Sequence, residues 1–218
     1  MTSFFGGVGG DSQCEGDRPN PEITVPSQVG VGELQELCLR GFPAGETVKV
    51  QIRTPDGRVE RRDVCYWCRE ASNSILLGSA PGDPLGTYQV TVTQGATELA
   101  TEFRLQRQSV PLLRVVGSVA ENGPAHPIRA GATVPIILAG FPANTQVRLD
   151  IYFVPSMTPL EAKYITTLPI RTDANGQQLY ELRTDTGDKG CYVLRTRPPV
   201  DFHAVAGISD SIETFCLA

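Results

Sequence analysis

The residues with the most evident chemical potential are Cys65 and Cys68, which enclose Tyr66 and Trp67 in the run V-C-Y-W-C-R. A C-x-x-C pair can serve as a redox dithiol, as half of a zinc site or as a disulfide. A redox dithiol requires a helix start at its first cysteine, because helix N–H groups lower the thiol pKa. The flanking residues are instead typical of strands and hairpins. We therefore expect structural sulfur here and no redox catalysis.

A zinc site made of four cysteines requires two closely spaced pairs. Cys14 and Cys38, the other two cysteines of the N-terminal half, are 24 residues apart, so the sequence favours no metal site. The adjacent Tyr66 and Trp67 could form a platform for a sugar, although neighbours on a strand point to opposite faces. A carbohydrate site at these two aromatic residues is kept as an alternative.

The even number of cysteines, six, indicates an oxidising compartment in which disulfides persist. Cys191 precedes Tyr192 in the expected penultimate strand of the C-terminal half, and Cys216 follows Phe215 in the expected last strand. If these strands pair antiparallel, the two cysteines are neighbours within disulfide range. We predict the disulfide Cys191–Cys216.

The other four cysteines can pair in three ways, and the sequence alone does not decide among them. Cys38 is flanked at alternate positions by charged residues, which indicates an outward side chain that the segment with Cys14 could cover. Cys65 and Cys68 could join only across a turn, because residues three apart on a strand face opposite ways. The pairing Cys14–Cys38 with Cys65–Cys68 is favoured over the crossed pairings.

Four oxygen-bearing side chains near loops of the C-terminal half could in principle bind calcium; they are Asp173, Asn175, Asp185 and Asp188. Such residues are common in turns for backbone reasons, and turn formation is the preferred interpretation. The sequence contains no G-x-S-x-G turn, phosphate-binding glycine loop or H-E-x-x-H motif. We expect no cofactor, no metal and no catalytic residue, and therefore a protein that is not an enzyme.

The composition is that of a globular, acidic chain. Its 218 residues suffice for two domains of roughly 100 residues each. A net charge of −5 does not favour the basic surface that nucleic-acid binding requires, so we expect no nucleic-acid partner. No apolar run is long enough for direct membrane insertion. Residues 1–12 do not resemble a secretion signal. Together with the cysteines, this indicates an extracellular or cell-surface chain whose signal or anchor is not present in it.

Internal similarity divides the chain into two copies. G-F-P-A occurs at 41–44 and again at 140–143, each time followed by a run in which apolar and polar residues alternate. This period-two alternation is typical of a strand with one buried face. Further matches follow in the same order: Gly32 with Gly131, Tyr88 with Tyr192, Phe103 with Phe215 and Leu105 with Leu217.

Turn motifs predict about seven strands per copy. T-P-D-G at 54–57 is typical of a hairpin turn, and T-D-A-N-G at 172–176 is expected to do the same in the second copy. Helical periodicity is absent, apart from a single turn that 158–163 could form. We predict an all-β fold of two tandem antiparallel β-sandwiches. The expected parts are an extended segment 1–21, a domain 22–107, a linker 108–113 and a domain 114–218.

The phrases G-F-P-A-G-E-T-V-K-V, T-D-A-N-G and D-P-L-G-T-Y-Q-V-T-V resemble the immunoglobulin-like repeats of bacterial secreted and surface proteins. That group includes invasin-like and fibronectin-type modules, and the resemblance covers the chain from about Glu22 onward. It implies tandem immunoglobulin-like sandwiches. It also implies a non-enzymatic spacer, adhesion or assembly role, with protein partners in a larger surface assembly.

Two other functions stay as alternatives. One is the carbohydrate-binding module that would use Tyr66 and Trp67. The other is a self-assembling homo-oligomeric subunit, in which the glycine-rich start M-T-S-F-F-G-G-V-G-G adds a strand to a neighbour's sheet edge.

Overall fold

The structure is a computed structural model. It describes residues 14, 19–43, 45–65, 74–123, 125–155, 162–197 and 211–218, without the side chains of Cys65 and Asn122. The chain divides into two compact units, which are unit 1 (Met1–Gln106) and unit 2 (Arg107–Ala218). In the described part of the chain, no helix is both long and apolar enough to span a membrane.

Unit 1 has eight strands in its described residues: β1 (Glu22–Thr24), β2 (Gln28–Gly30), β3 (Leu34–Arg40), β4 (Thr47–Arg53), β5 (Val59–Cys65), β6 (Ser74–Gly78), β7 (Gly86–Gln94) and β8 (Thr97–Gln106). They form two sheets with the orders β1-β3-β6 and β2-β8-β7-β4-β5. β2 runs parallel to β8, and the other neighbours are antiparallel. β1 and β2 thus correspond to the two halves of the first strand of an immunoglobulin-like sandwich, with one half in each sheet.

Unit 2 contains a short helix, α1 (Val119–Asn122), and seven strands in its described residues: β9 (Leu112–Val115), β10 (Thr133–Ala139), β11 (Gln146–Val154), β12 (Lys163–Arg171), β13 (Gln178–Arg183), β14 (Gly190–Arg197) and β15 (Ile212–Leu217). Its sheets have the orders β13-β10-β9 and β12-β11-β14-β15. A parallel bridge from Ile128 to Leu217 stands where β2 pairs with β8 in unit 1. The predicted fold class, two tandem immunoglobulin-like antiparallel sandwiches, is confirmed by these strand orders.

Alternation of apolar and polar residues builds the core of each unit. In β11, Val147, Leu149 and Ile151 are buried, and they belong to one cluster with Ile136 of β10 and Phe215 of β15. The cluster therefore draws residues from both sheets. Full burial of each side chain of this kind stabilises a fold by about 1.5 to 3 kcal/mol.

Stacked aromatic pairs lie at equivalent positions of the two units. Tyr88 is opposite Phe103, with ring centroids 4.9 Å apart, and Tyr192 is opposite Phe215 at 5.3 Å. The Tyr88 hydroxyl donates to the carbonyl of Pro84 at 3.0 Å, the tyrosine corner of immunoglobulin-like domains. The residues that matched in sequence therefore have the same packing role in each sandwich.

The structure corrects the interpretation of T-D-A-N-G. T-P-D-G closes the β4–β5 hairpin, where the Thr54 N–H donates to the Arg58 carbonyl at 2.9 Å. Residues 172–176 instead connect β12 with β13, which belong to opposing sheets. This turn supports the G-F-P-A loop of unit 2, because the Phe141 N–H donates to the Gly176 carbonyl at 3.1 Å. Turn residues mark a reversal of the chain but do not show which strands pair.

Two further features differ from the expectation. β9 begins at Leu112, inside the segment 108–113 that was expected to be a linker. α1 lies between β9 and Ile128, where unit 1 has only the short connection 25–27, and four residues are too few for a periodic signal. The single helical turn expected at 158–163 falls mainly outside the described residues.

Candidate functional site

A disulfide joins Cys14 to Cys38 on the outer face of the three-stranded sheet of unit 1. Cys38 alternates along β3 with Leu37 and Leu39, which are fully buried. Its side chain is nevertheless only 6% exposed, because Cys14 covers it. This bond, the pairing favoured from the sequence, ties a residue that precedes β1 onto the sheet.

A second disulfide joins Cys191 to Cys216 in unit 2. The two residues lie directly opposite each other on the antiparallel strands β14 and β15, with Cα atoms 4.0 Å apart. Thr87 and Arg104 occupy the corresponding register positions of β7 and β8 in unit 1. This brace is therefore specific to unit 2.

The C-Y-W-C run is only partly described. β5 ends at Cys65, whose side chain lies outside the described residues together with Tyr66, Trp67 and Cys68. The disulfide Cys65–Cys68 and the sugar platform at the two aromatic residues therefore stay predictions.

Among the described residues, three potential metal ligands come together in unit 1. The sulfur atoms of Cys14 and Cys38 and a carboxylate oxygen of Glu36 lie within 4.8 Å of one another. A cysteine binds metal as the thiolate, and both of these sulfurs are joined to each other. In the oxidised chain the two cysteines consequently form a structural disulfide and are not thiolate ligands for a metal.

The loop carboxylates considered for calcium hold backbone turns. Asp173 Oδ1 accepts hydrogen bonds from the N–H groups of Asn175 at 2.8 Å and Gln177 at 2.9 Å. Asp188 Oδ2 accepts from the N–H of Asp185 at 2.7 Å. These contacts are the backbone role that aspartate has in turns, as preferred from the sequence.

A buried charged cluster lies where α1 packs against β15, and it consists of Arg114, Glu121 and Glu213. Arg114 Nε is 3.3 Å from Glu121 Oε1, and the Gly117 N–H donates to Glu121 Oε2 at 2.6 Å. Burial raises the pKa of Glu213 to about 7, and the Glu121 carboxylate adds to this rise. Burial also raises the pKa of Glu121. Arg114 is 4% exposed, so the cluster belongs to the interior.

The outer face of the five-stranded sheet of unit 1 carries mixed charges. Val48, Val50 and Ile52 of β4 are buried, so the alternate residues of β4 and their partners on β5, β7 and β8 point outward. The charged residues of this face are Lys49, Arg53, Arg61, Arg104, Asp63, Glu98 and Glu102. An open groove of about 320 Å³ lies on it. The charges nearly cancel, leaving a net charge of +1 from four cations and three anions.

The outer face of the four-stranded sheet of unit 2 is basic. Val147, Leu149 and Ile151 of β11 point into the core, so the alternate residues of β11 and their partners on β12 and β14 point outward. The charged residues described on this face are Arg148, Arg171, Arg195, Arg197 and Asp150. Four arginines against one aspartate give a net charge of +3. We call this surface the arginine face.

Asp150 is a fixed centre of the arginine face. It is 1% exposed and forms an ion pair with Arg197, whose side chain is 56% exposed. Thr167 Oγ1 donates to Asp150 Oδ1 at 2.5 Å, and the Tyr152 hydroxyl lies 3.5 Å from Oδ2. A buried carboxylate is tolerated only with such partners. The arrangement fixes the position of the Arg197 guanidinium.

Tyr164 adds an ordered aromatic surface beside the arginines. Its hydroxyl lies 2.9 Å from Thr167 Oγ1 and acts as the donor, because Thr167 gives its own hydrogen to Asp150. The ring meets Tyr152 edge-on, with centroids 5.8 Å apart, and Tyr164 is 57% exposed. The Tyr164 ring is therefore held by two contacts while the residue stays exposed.

The sequence interpretation missed both charged features. For the arginine face a signal exists, because R-L-D-I-Y at 148–152 and R-T-R at 195–197 alternate charged with core residues. The neighbouring position of these strands only follows once the sheet order is known. For the buried cluster the sequence holds no signal, since Arg114 and Glu213 come from opposite ends of unit 2.

Comparisons with known proteins give only distant likenesses. No family model and no curated protein matches the chain. Among solved structures, trypsin-activated α2-macroglobulin from Escherichia coli is 13% identical, with a TM-score of 0.29 and coverage of 85% of this chain and 15% of that chain. A tetra-tandem repeat from the extending region of a large adhesion protein is 14% identical, with a TM-score of 0.28 and coverage of 91% and 49%. A chimeric titin Z1Z2 tandem is 17% identical, with a TM-score of 0.28 and coverage of 90% and 97%.

This chain thus spans less than half of the macroglobulin and of the adhesion protein chain. TM-scores this low do not establish a shared fold. The fold class is assigned from the strand orders of the two units. By that criterion the chain consists of two immunoglobulin-like β-sandwiches.

Proposed function

We propose that this chain is a non-enzymatic, extracytoplasmic module that serves as a spacer or adhesion element of a bacterial surface or secreted protein. Its partners are protein subunits of a larger surface assembly, with copies of itself among the candidates.

The observation that carries the proposal is the pair of disulfides found among the described residues, one in each unit. Cys14–Cys38 ties Cys14, which precedes β1, to the sheet of unit 1, and Cys191–Cys216 joins strands β14 and β15 of unit 2. Disulfides of this kind persist in oxidising compartments and are rare in the cytosol. The loop carboxylates Asp173 and Asp188 hold turns, which supports a structural use of these loops.

Accessibility in intact cells of the native source tests the proposal. A membrane-impermeant biotin reagent is added to intact cells and to lysed cells, and labelling of the chain is compared with that of a cytoplasmic marker. We expect labelling of the chain, but not of the marker, in intact cells or their culture medium. Labelling of both proteins only after lysis would contradict an extracytoplasmic role.

A further inference from the structure

We propose that the arginine face of unit 2 binds a linear acidic polysaccharide, one that bears carboxylate or sulfate groups along its length. The proposal rests on the proposed extracytoplasmic role, because it names the partner class of that module. It is supported by a set of four arginines on three adjacent strands, next to the exposed residue Tyr164.

The arginines form an ordered array. Arg171 lies on β12, Arg148 on β11, and Arg195 and Arg197 on β14, and these three strands are hydrogen-bonded neighbours. Adjacent strands are about 4.8 Å apart, and alternate residues of one strand are about 7 Å apart. The Cα atoms that carry the cations are therefore spaced by the strand lattice of one sheet, which suits a chain with acidic groups at repeated intervals. Guanidinium groups also match carboxylate and sulfate oxygens in a two-point fork.

Asp150 makes the array more ordered without neutralising it. It engages the Nε edge of Arg197, and the Arg197 side chain stays 56% exposed. Hydrogen bonding to Tyr152, and secondly the charge of Asp150, raise the pKa of Arg197. A cation that is already positioned loses less conformational entropy when a ligand binds.

The exposed ring of Tyr164 favours an acidic polysaccharide over anions that have no sugar rings. Its hydroxyl bond to Thr167 and its edge-on contact with Tyr152 fix the ring while 57% of the residue is exposed. A fixed and solvent-facing aromatic ring has an apolar face on which a sugar ring can pack. The hydroxyl hydrogens of Tyr152 and Tyr164 are used within the face, and their oxygen atoms keep acceptor capacity for sugar hydroxyls.

Unit 1 provides an internal comparison. Lys49 and Arg53 hold the positions in β4 that Arg148 and Tyr152 hold in β11, counted from the shared G-F-P-A. The outer face of unit 1 nevertheless carries three acids among four cations, whereas the described arginine face carries one acid. The excess of positive charge is thus larger on the arginine face, at +3, than on the equivalent surface of unit 1, at +1.

The main rival is a second copy of the chain. Met1–Gln106 contains nine Lys and Arg against fourteen Asp and Glu, a net charge of −5, whereas Arg107–Ala218 contains ten of each and is neutral. An acidic unit 1 could dock on the arginine face of another molecule. The exposed ring of Tyr164 favours the polysaccharide, and the experiment separates the two.

The test uses the full chain with heparin as the acidic polysaccharide, poly-glutamate as an acidic peptide and dextran as a neutral polysaccharide. Titration calorimetry is run at roughly 50 mM salt, where surface charges are weakly screened, and repeated at higher salt. The variant Arg148→Glu/Arg171→Glu changes two exposed residues of the arginine face. Lys49→Glu/Arg53→Glu makes the same change of charge on unit 1 and serves as the matched control.

We expect heparin to bind the wild type more tightly than poly-glutamate, with no binding of dextran and an affinity that falls as salt rises. The Arg148→Glu/Arg171→Glu variant should lose about tenfold or more in affinity, and the unit 1 control no more than about twofold. Absence of heparin binding, equal losses in both variants, or tighter binding of poly-glutamate would overturn the proposal. Light scattering tests for a second copy. If the wild type associates as its concentration rises, and only the Arg148→Glu/Arg171→Glu variant abolishes this association, the arginine face binds a second copy and the polysaccharide proposal is wrong.

Both variants must keep the wild-type circular dichroism spectrum, which is expected because all four positions are exposed. Failure of this test leaves the proposed function standing, since that function is tested by cellular accessibility and not by a ligand.

Discussion

Arg114 Nε lies 3.3 Å from Oε1 of Glu121, and the side chains that make this ion pair are 5% and 10% exposed. Glu213 of β15 completes the cluster, so that two carboxylates share one buried guanidinium. Burial makes ionisation of Glu213 unfavourable there, and the charge of Glu121 adds to this cost. The consequence is a pH dependence of the stability of unit 2.

Replacement of Glu213 should remove, at high pH, the cost of burying an ionised carboxylate beside Glu121. Its folded-state pKa of about 7 lies above the ordinary value of 4.5, so the folded protein binds the proton more tightly than the unfolded chain. The free energy of unfolding therefore falls as pH rises from 4.5 to about 7, and the full cost is present above pH 7. We expect Glu213→Gln to raise the free energy of unfolding by roughly 1 to 2 kcal/mol at pH 8, after a discount for partial exposure.

Urea unfolding at about pH 4 and pH 8 checks this prediction, because the effect should nearly vanish below the unfolded-state pKa. Glu181→Gln, at an exposed position of β13, is the matched control. An equal effect of Glu213→Gln at both pH values would contradict the assignment.

Asp150→Asn should destabilise unit 2. The substitution keeps the shape of the side chain but removes the charge that Arg197 and Thr167 satisfy at a site 1% exposed. We expect a loss of about 1 to 2 kcal/mol in the free energy of unfolding. A double-mutant cycle with Arg197→Gln should give a coupling of at least about 0.5 kcal/mol. Asp63→Asn on an exposed strand of unit 1 is the control, and a cycle without coupling would be inconsistent with the ion pair.

Removal of the unit 2 disulfide should lower stability through the unfolded state. Cys191 and Cys216 are 25 residues apart, and closure of a loop of that length contributes about 3 kcal/mol. The variant Cys191→Ala/Cys216→Ala should lose about this amount in urea unfolding without reductant. A change below about 0.5 kcal/mol would show that the bond does not brace the strands in solution.

Gly176 should tolerate no side chain. Its φ is +72°, and a Cβ atom there would lie 1.8 Å from the carbonyl oxygen of Phe141. Gly57 has a φ of +85° with no atom within 4 Å of such a Cβ, so it separates backbone strain from collision. We expect Gly57→Ala to cost about 1 kcal/mol and Gly176→Ala at least about 3 kcal/mol in thermal unfolding. Equal costs would mean that the turn moves away from the G-F-P-A loop.

Features that depend on neighbouring residues along the chain could be predicted from the sequence. The alternation of Val147, Leu149 and Ile151 predicts a strand, and the places of Cys191 and Cys216 near the chain end predict adjacent strands. The fold class followed from such local patterns because an immunoglobulin-like sandwich pairs its last two strands.

Features that depend on contacts distant in sequence could not be predicted. T-D-A-N-G has the residues of a hairpin turn, yet Gly176 serves the loop that contains Phe141. In the sequence Asp150 resembles an ordinary solvent-facing residue of an alternating strand, yet it is buried and contacts Thr167 and Arg197 of the neighbouring strands. Both the contact of Gly176 and the burial of Asp150 depend on which strands are neighbours in the sheets. The alternation of apolar and polar residues does not show which strands are neighbours.

We propose, as the central claim, that the disulfides Cys14–Cys38 and Cys191–Cys216 stabilise two sandwiches outside the cytoplasm. Its most direct test is peptide mass mapping of the chain purified from its native source, after alkylation in denaturant without reductant. We predict no alkylation of Cys14, Cys38, Cys191 or Cys216, and alkylation of all four after reduction. Alkylation of these four cysteines without reduction would contradict the claim.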